Sequence, residues 1–174
     1  MRILFLGDIV GISGCSKIMN NLFDQIKKNN IDFVIVNGEN AAESGVGLTK
    51  EICEDFFNCG VNVITTGNHV WDQKEIMNFI DKENRLLRPK NLFEPSPGRG
   101  FEVYTTEQNI KVGVLNLMGN VFMKKCDDVF EISKQFIDKF KLKKDFDFLV
   151  VDFMGKLQVK KMPLDIFLMG KQHL

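Results

Sequence analysis

The sequence predicts an α/β fold, a layered sheet with flanking helices. Three strand-loop-helix units follow one another between residues 3 and 80, and such crossovers are what parallel strands require. Each of these three strands stops at a glycine followed by acid, amide or imidazole groups. No linker, repeat or low-complexity segment interrupts the 174 residues, a length that corresponds to about one domain.

Ile3–Leu6 is a continuous apolar run closed by Gly7-Asp8, the pattern of a strand buried on both faces. Over Ser16–Lys28, Ile18, Met19, Leu22, Phe23 and Ile26 recur at helical spacing, with Lys27 and Lys28 in the favourable last turn and Asn29-Asn30 as the stop. Phe33–Val36 is the second strand. Thr49 then caps a helix whose buried stripe is Ile52, Cys53, Phe56 and Phe57, and Gly60 ends it. Val61–Ile64 is the third strand, and Asp72-x-x-Glu75 reads as a capping box opening a helix with Ile76, Met77, Phe79 and Ile80. A proline-containing loop spans Arg88–Gly100, followed by a hairpin of Phe101–Thr106 and Ile110–Leu117 turning near Gln108-Asn109. Asp128-x-x-Glu131 opens a helix carrying Ile132, Phe136, Ile137 and Phe140, which leads into the strand Phe146–Phe153.

Composition narrows the function. Lys+Arg and Asp+Glu number 23 each, so there is no net field to hold a polyanion, and general nucleic-acid binding by counterion release is disfavoured. No stretch approaches the roughly 18 apolar residues of a membrane span, and the apolar start ends at Gly7. The expectation is a cytoplasmic chain, neither exported through a Sec signal nor anchored. Cys15, Cys53, Cys59 and Cys126 form no CxxC pair and no zinc-type spacing, so they read as reduced thiols.

The chemistry is expected at the shared rim of the strands. Gly7-Asp8, Gly38-Glu39-Asn40 and Gly67-Asn68-His69 occupy the same position in three successive units, at the carboxyl ends where open α/β sheets bind ligands. Turn formation accounts for any one of these residues singly; recurrence in all three units favours a cluster able to hold divalent cations.

These motifs resemble those of the calcineurin-like metallophosphoesterases, whose pattern is GD, then GD or GE with N, then GNH. The strings LFLGDIVG, VNGENAA, GVGLT and TTGNHVWD resemble more narrowly the bacterial YmdB-like branch, which is similar to cyclic-nucleotide phosphodiesterases, and the likeness continues through LRPKNLFEPSPGRG and VLNLMGNVFM to Phe153. The resemblance implies a metallophosphoesterase-type layered sheet and two divalent transition-metal ions, manganese or iron. It implies that Asp8 and Glu39 hold one ion, that Glu39 bridges to a second bound by Asn68 with Asn40 beside them, and that His69 is the catalytic imidazole. Two ions so held activate a nucleophile and clamp phosphate oxygens, while His69 donates a proton to the leaving alkoxide or stabilises its charge. The superfamily's usual aspartate-x-histidine opening is replaced here by Val10 two residues after Asp8, as in the YmdB-like branch. The substrate implied is a phosphodiester or cyclic nucleotide, 2',3' or 3',5', and a homo-oligomer is the family expectation.

The resemblance also implies histidines from later strands, one of them directly after Phe153, where this chain has Met154. The remaining histidine, His173, reads as a solvent-exposed residue near the carboxyl end. Back-translating Phe153–His173 and reading one base earlier permits His-Gly-Glu-Ala-Thr-Ser-Glu-Lys and a further family-like run. The expectation is therefore that residues 1–153 are the N-terminal portion of one metallophosphoesterase domain and that 154–174 are an out-of-frame tail. The C-terminal part of the fold is then missing, the second metal site incomplete and activity impaired.

Two other readings compete. A Rossmann-like nucleotide-binding module would put phosphate near Gly7 to Gly14 and Glu39 on a ribose, but Gly7, Gly11 and Gly14 lack GxGxxG spacing. A non-catalytic remnant would act only through interactions.

Overall fold

A computed structural model describes residues 1–93, 95–119 and 126–155, and the backbone of 168–170. Strands β1 (Ile3–Leu6), β2 (Phe33–Asn37), β3 (Val63–Thr65) and β4 (Leu86–Leu87) form one sheet in that order, all parallel. A second sheet contains β5 (Phe101–Thr105), β6 (Lys111–Met118), β7 (Phe148–Met154) and the short β8 (Leu168–Gly170). β5 and β6 are the expected hairpin, antiparallel with Phe101 opposite Leu115, and β7 runs parallel to β6.

The helices are α1 (Gly11–Asn29), α2 (Lys50–Asn58) and α3 (Val129–Lys139), with a 3-10 helix at Lys74–Asn78. Side chains alternate across β2, and that alternation creates the layers. Val34 and Val36 pack with Ile18, Leu22, Cys53 and Phe56 under α1 and α2, whereas Phe33 and Ile35 pack with Val112 and Val114 of the second sheet. Leu115, Leu117 and Val151 then pack with Phe136 of α3. The order of layers is thus helix, sheet, sheet, helix. Among the described residues no helix is long and apolar enough to cross a membrane.

Local chemistry explains several boundaries. Thr49 accepts a hydrogen bond from the Ile52 N–H, and Asp128 accepts from Phe130 and Glu131; caps of this kind contribute about 1 kcal/mol each. Asn30 closes α1 in the left-handed conformation, and Gly60, at φ 107°, follows α2 in a conformation costly for other residues.

Four expectations change. β1 is an edge strand within its sheet and only half-buried, because its apolar run has β2 on one side and no described strand on the other. α1 begins five residues earlier than expected, and its buried stripe is Cys15, Ile18 and Leu22. Met19 and Phe23 lie about 100° further round the helix and are exposed, with the Lys27 ammonium 4.1 Å above the Phe23 ring. The Asp72-x-x-Glu75 capping box does not form: the 3-10 helix has Gln73 at its cap with no side-chain bond, and Glu75 accepts from the Lys50 N–H. β4 was not expected, since two residues carry no period.

The boundary expected at residue 153 falls within β7, which continues through Met154. Residues 156–167 and 171–174, including His173, lie outside the described residues.

Candidate functional site

Parallel pairing of β1, β2 and β3 brings their carboxyl ends to one rim, and backbone bonds fasten the loops there. Ile9 N–H donates to Asn37 O at 3.1 Å, Gly38 N–H to Thr65 O at 3.0 Å and Gly11 N–H to Asn40 O at 2.9 Å. The first two predicted groups therefore touch. Asn40 Nδ2 donates to both Asp8 carboxylate oxygens, at 3.1 and 3.2 Å, and lies 3.4 Å from Glu39 Oε1.

Glu39 is buried, and no donor meets its Oε2 in good hydrogen-bond geometry, although the backbone N–H groups of His69 and Asn68 lie near the carboxylate. Burial, then the neighbouring charge of Asp152, push its carboxyl up to about 7; the N–H groups of His69 and Asn68 and the Asn40 amide pull the other way without cancelling the rise. The third unit meets the second through Gly67, where a side chain's first carbon would fall inside the Glu39 carboxylate. We expect Gly67→Ala to displace that carboxylate and move its titration, followed by ¹³C NMR, away from about 7 while the circular dichroism of the chain is kept; an unchanged titration would contradict the contact.

Asn68 and His69 are half-buried on the same turn. His69 Nδ1 lies 2.6 Å from Asp72 Oδ2. The structure thus brings Asp8, Glu39 and Asn40 together and sets the Asn68 and His69 backbone beside Glu39. His173 lies outside the described residues, and position 154 is the Met that ends β7.

Sequence reasoning did not find the polar layer beneath. Asp152 on β7 is buried and accepts from Thr65 Oγ1 at 2.6 Å and Asn37 Nδ2 at 2.7 Å; burial raises its pKa, and those two bonds oppose the rise. Its partner across the ladder, Asn116 on β6, donates to Thr66 O at 2.7 Å and Leu87 O at 3.2 Å, leaving Oδ1 unpartnered. These bonds tie the second sheet to the rim of the first. The available signal was a single acid or amide inside each apolar strand, FLVVDFM and VLNLM, positions costly to bury without partners.

The arrangement favours positive charge at Asp8 and Glu39. Two carboxylates flank one N–H donor, and a buried carboxylate oxygen without a well-aligned donor is costly. Among the described residues no three His, Cys, Asp or Glu side chains form a metal-holding group.

The family described as "YmdB-like protein" matches residues 4–174. The 2',3'-cyclic-nucleotide 2'-phosphodiesterase of Bacillus subtilis is 36% identical over 171 residues, covering 98% of this chain and 63% of that protein. A putative phosphatase/phosphodiesterase of Mycoplasma pneumoniae is 34% identical over 92% of this chain and 57% of its own length. The chain therefore spans about three-fifths of these relatives. Among solved structures, a hypothetical protein from Thermus thermophilus aligns with TM-score 0.81 and 31% identity over 90% of this chain and 59% of that one. A structure titled as a novel phosphatase from Mycoplasma pneumoniae gives 0.80 and 34% over 90% of this chain and 56% of that one.

Proposed function

Because the chain belongs to the YmdB-like family, we propose that its β1–β3 rim is the centre of a metal-dependent phosphodiesterase acting on cyclic nucleotides. The observation that carries this reading is the buried Glu39 carboxylate, Oε2 without a well-aligned donor, beside Asp8 and Asn40. The relatives' names support the reaction class. The four cysteines stand outside any disulfide among the described residues, which supports a reducing, cytoplasmic setting.

Asp8, Glu39 and Asn40 would hold the first cation, and Asn68 with Glu39 would offer an incomplete second position. When bound, manganese or iron supplies charge neutralisation at the phosphate and activation of water. The chain's own residues do the rest. Asp8 and Glu39 fix the cation's place because the bonds between the rim loops fix theirs. His69 carries the proton: one P–O bond forms to water, whose proton passes to solvent, and one breaks to a ribose oxygen, which takes up the His69 proton that solvent then replaces. Asp152, with Asn37 and Thr65, holds the floor on which Glu39 rests.

The test is hydrolysis of 2',3'-cyclic AMP, followed by chromatography with Mn²⁺ or with chelator. Metal-dependent opening of the cyclic phosphate is expected. Equal turnover in chelator overturns the proposal. Residues 154–174 as an out-of-frame tail form a separate proposal, tested by resequencing codons 140–174 and the region downstream. One extra base near codon 153 supports it, and family-like codons continuing in another frame downstream do so too. Absence of both overturns it.

A further inference from the structure

We propose that Asp72 is a positioning residue that holds the His69 imidazole in its Nδ1–H tautomer, leaving Nε2 as the nitrogen that exchanges a proton with the reacting oxygen. Its part in turnover rests on the phosphodiesterase reading; the tautomer does not.

The geometry begins with the turn. Val70 N–H donates to Gly67 O at 3.2 Å, and Asp72 N–H donates to His69 O at 3.0 Å, so residues 67–72 are wound tightly. Val70 is buried in the main core, and Trp71 packs against that core from a partly buried position. The backbone that sets the separation of His69 and Asp72 is therefore anchored from below. Across the turn Nδ1 and Asp72 Oδ2 stand 2.6 Å apart, with both side chains about 30% exposed. A contact this short between a ring nitrogen and a carboxylate is a charge-assisted hydrogen bond with the proton on nitrogen.

A second observation comes from the helix that does not form as expected. Asp72-x-x-Glu75 has the composition of a capping box, yet the following 3-10 helix receives no side-chain cap. Gln73 Nε2 instead donates to Val46 O at 2.9 Å and Ser44 Oγ at 3.2 Å, and Glu75 accepts from Lys50 N–H at 2.9 Å. Asp72 turns back to His69. Local rules broken in this way are characteristic of functional positions.

The chemical consequence concerns which nitrogen is available. In a neutral imidazole one nitrogen donates and the other accepts, and the bond made by the first selects the tautomer. With Nδ1–H committed to Asp72, Nε2 takes up and gives the proton. Without Asp72 the ring rotates and exchanges tautomers, so fewer molecules present the correct atom; binding of substrate is not affected, but the chemical step slows.

The chain has only two histidines, so ¹⁵N ring spectra of the full chain carrying His173→Gln report His69 alone. In the neutral ring we expect a protonated Nδ1 and an unprotonated Nε2. In Asp72→Ala the pattern should move toward Nε2–H, and kcat for 2',3'-cyclic AMP with Mn²⁺ should fall about 10²-fold with KM within about twofold. Asp72→Asn, which keeps the size and removes the charge, should also lower kcat, and it serves where the alanine variant does not fold. An Nε2–H ring with Asp72 present, an unchanged ring pattern in Asp72→Ala, or a raised KM at constant kcat each overturns the assignment. An Nδ1–H ring in a chain without metal-dependent hydrolysis overturns the phosphodiesterase reading and the catalytic part of this inference, while the pairing stands.

Discussion

His69→Ala is expected to lower Mn²⁺-supported hydrolysis of 2',3'-cyclic AMP by about 10²- to 10⁴-fold, the usual contribution of a positioned general acid, while the bound metal content stays unchanged. The two halves of this result come from different parts of the rim. The negative charge that attracts a cation is on Asp8 and Glu39, bridged by the Asn40 amide. The imidazole is committed to Asp72 instead, through a contact of 2.6 Å. On the proposed mechanism the alanine variant removes the proton donor, and it leaves both carboxylates in place. Measuring kcat together with metal by mass spectrometry separates the two: a joint loss makes His69 a ligand, and unchanged turnover takes it out of the mechanism.

Glu39→Gln should make the metal-free chain more stable at pH 8 and abolish its stabilisation by Mn²⁺. The sign follows from the raised carboxyl. In the folded state it titrates near 7, against an ordinary value of 4.5. Below 4.5 the group is protonated whether the chain is folded or unfolded, so nothing is lost. Between 4.5 and 7 the unfolded chain gives up its proton first, binds fewer protons than the folded one, and stability falls as pH rises. At about 1.4 kcal/mol per unit, the deficit above pH 7 is about 3 kcal/mol. The neutral amide removes that deficit, so the variant's melting temperature should exceed the parent's at pH 8 and match it near pH 4. A bound cation offsets the same deficit in the parent, so only the parent should melt higher with Mn²⁺. A variant that melts lower at pH 8, or gains equally from Mn²⁺, contradicts the assignment of Glu39.

The legible part of the fold is the part that repeats. Three units with the same grammar place Asp8, Glu39-Asn40 and Asn68-His69 at corresponding positions, and parallel pairing converts that correspondence into proximity. The second layer was less legible, because stacking of sheets leaves no period in a sequence. Phe33 and Ile35 carry no mark that distinguishes a partner sheet from a partner helix. Met19 and Phe23 have the same apolar character as Ile18 and Leu22, and only the angle at which α1 lies on the sheet decides which pair is covered. Asp152 and Asn116 were visible as lone polar residues in apolar strands, but their partners are distant in sequence, 115 positions for Asp152 and Asn37. Asp72 misleads for the opposite reason: its sequence context follows the local rule, while a neighbouring imidazole competes for the carboxylate and wins.

The most direct test of the account is the binding isotherm of 2',3'-cyclic AMP to the metal-stripped chain, with Mn²⁺ added or with chelator. At the rim two carboxylates repel a phosphate unless a cation lies between them. Binding with Mn²⁺ and none in chelator is the predicted result. Tight binding in chelator would contradict the account and favour metal-independent recognition of the nucleotide by the loops after β1 and β2.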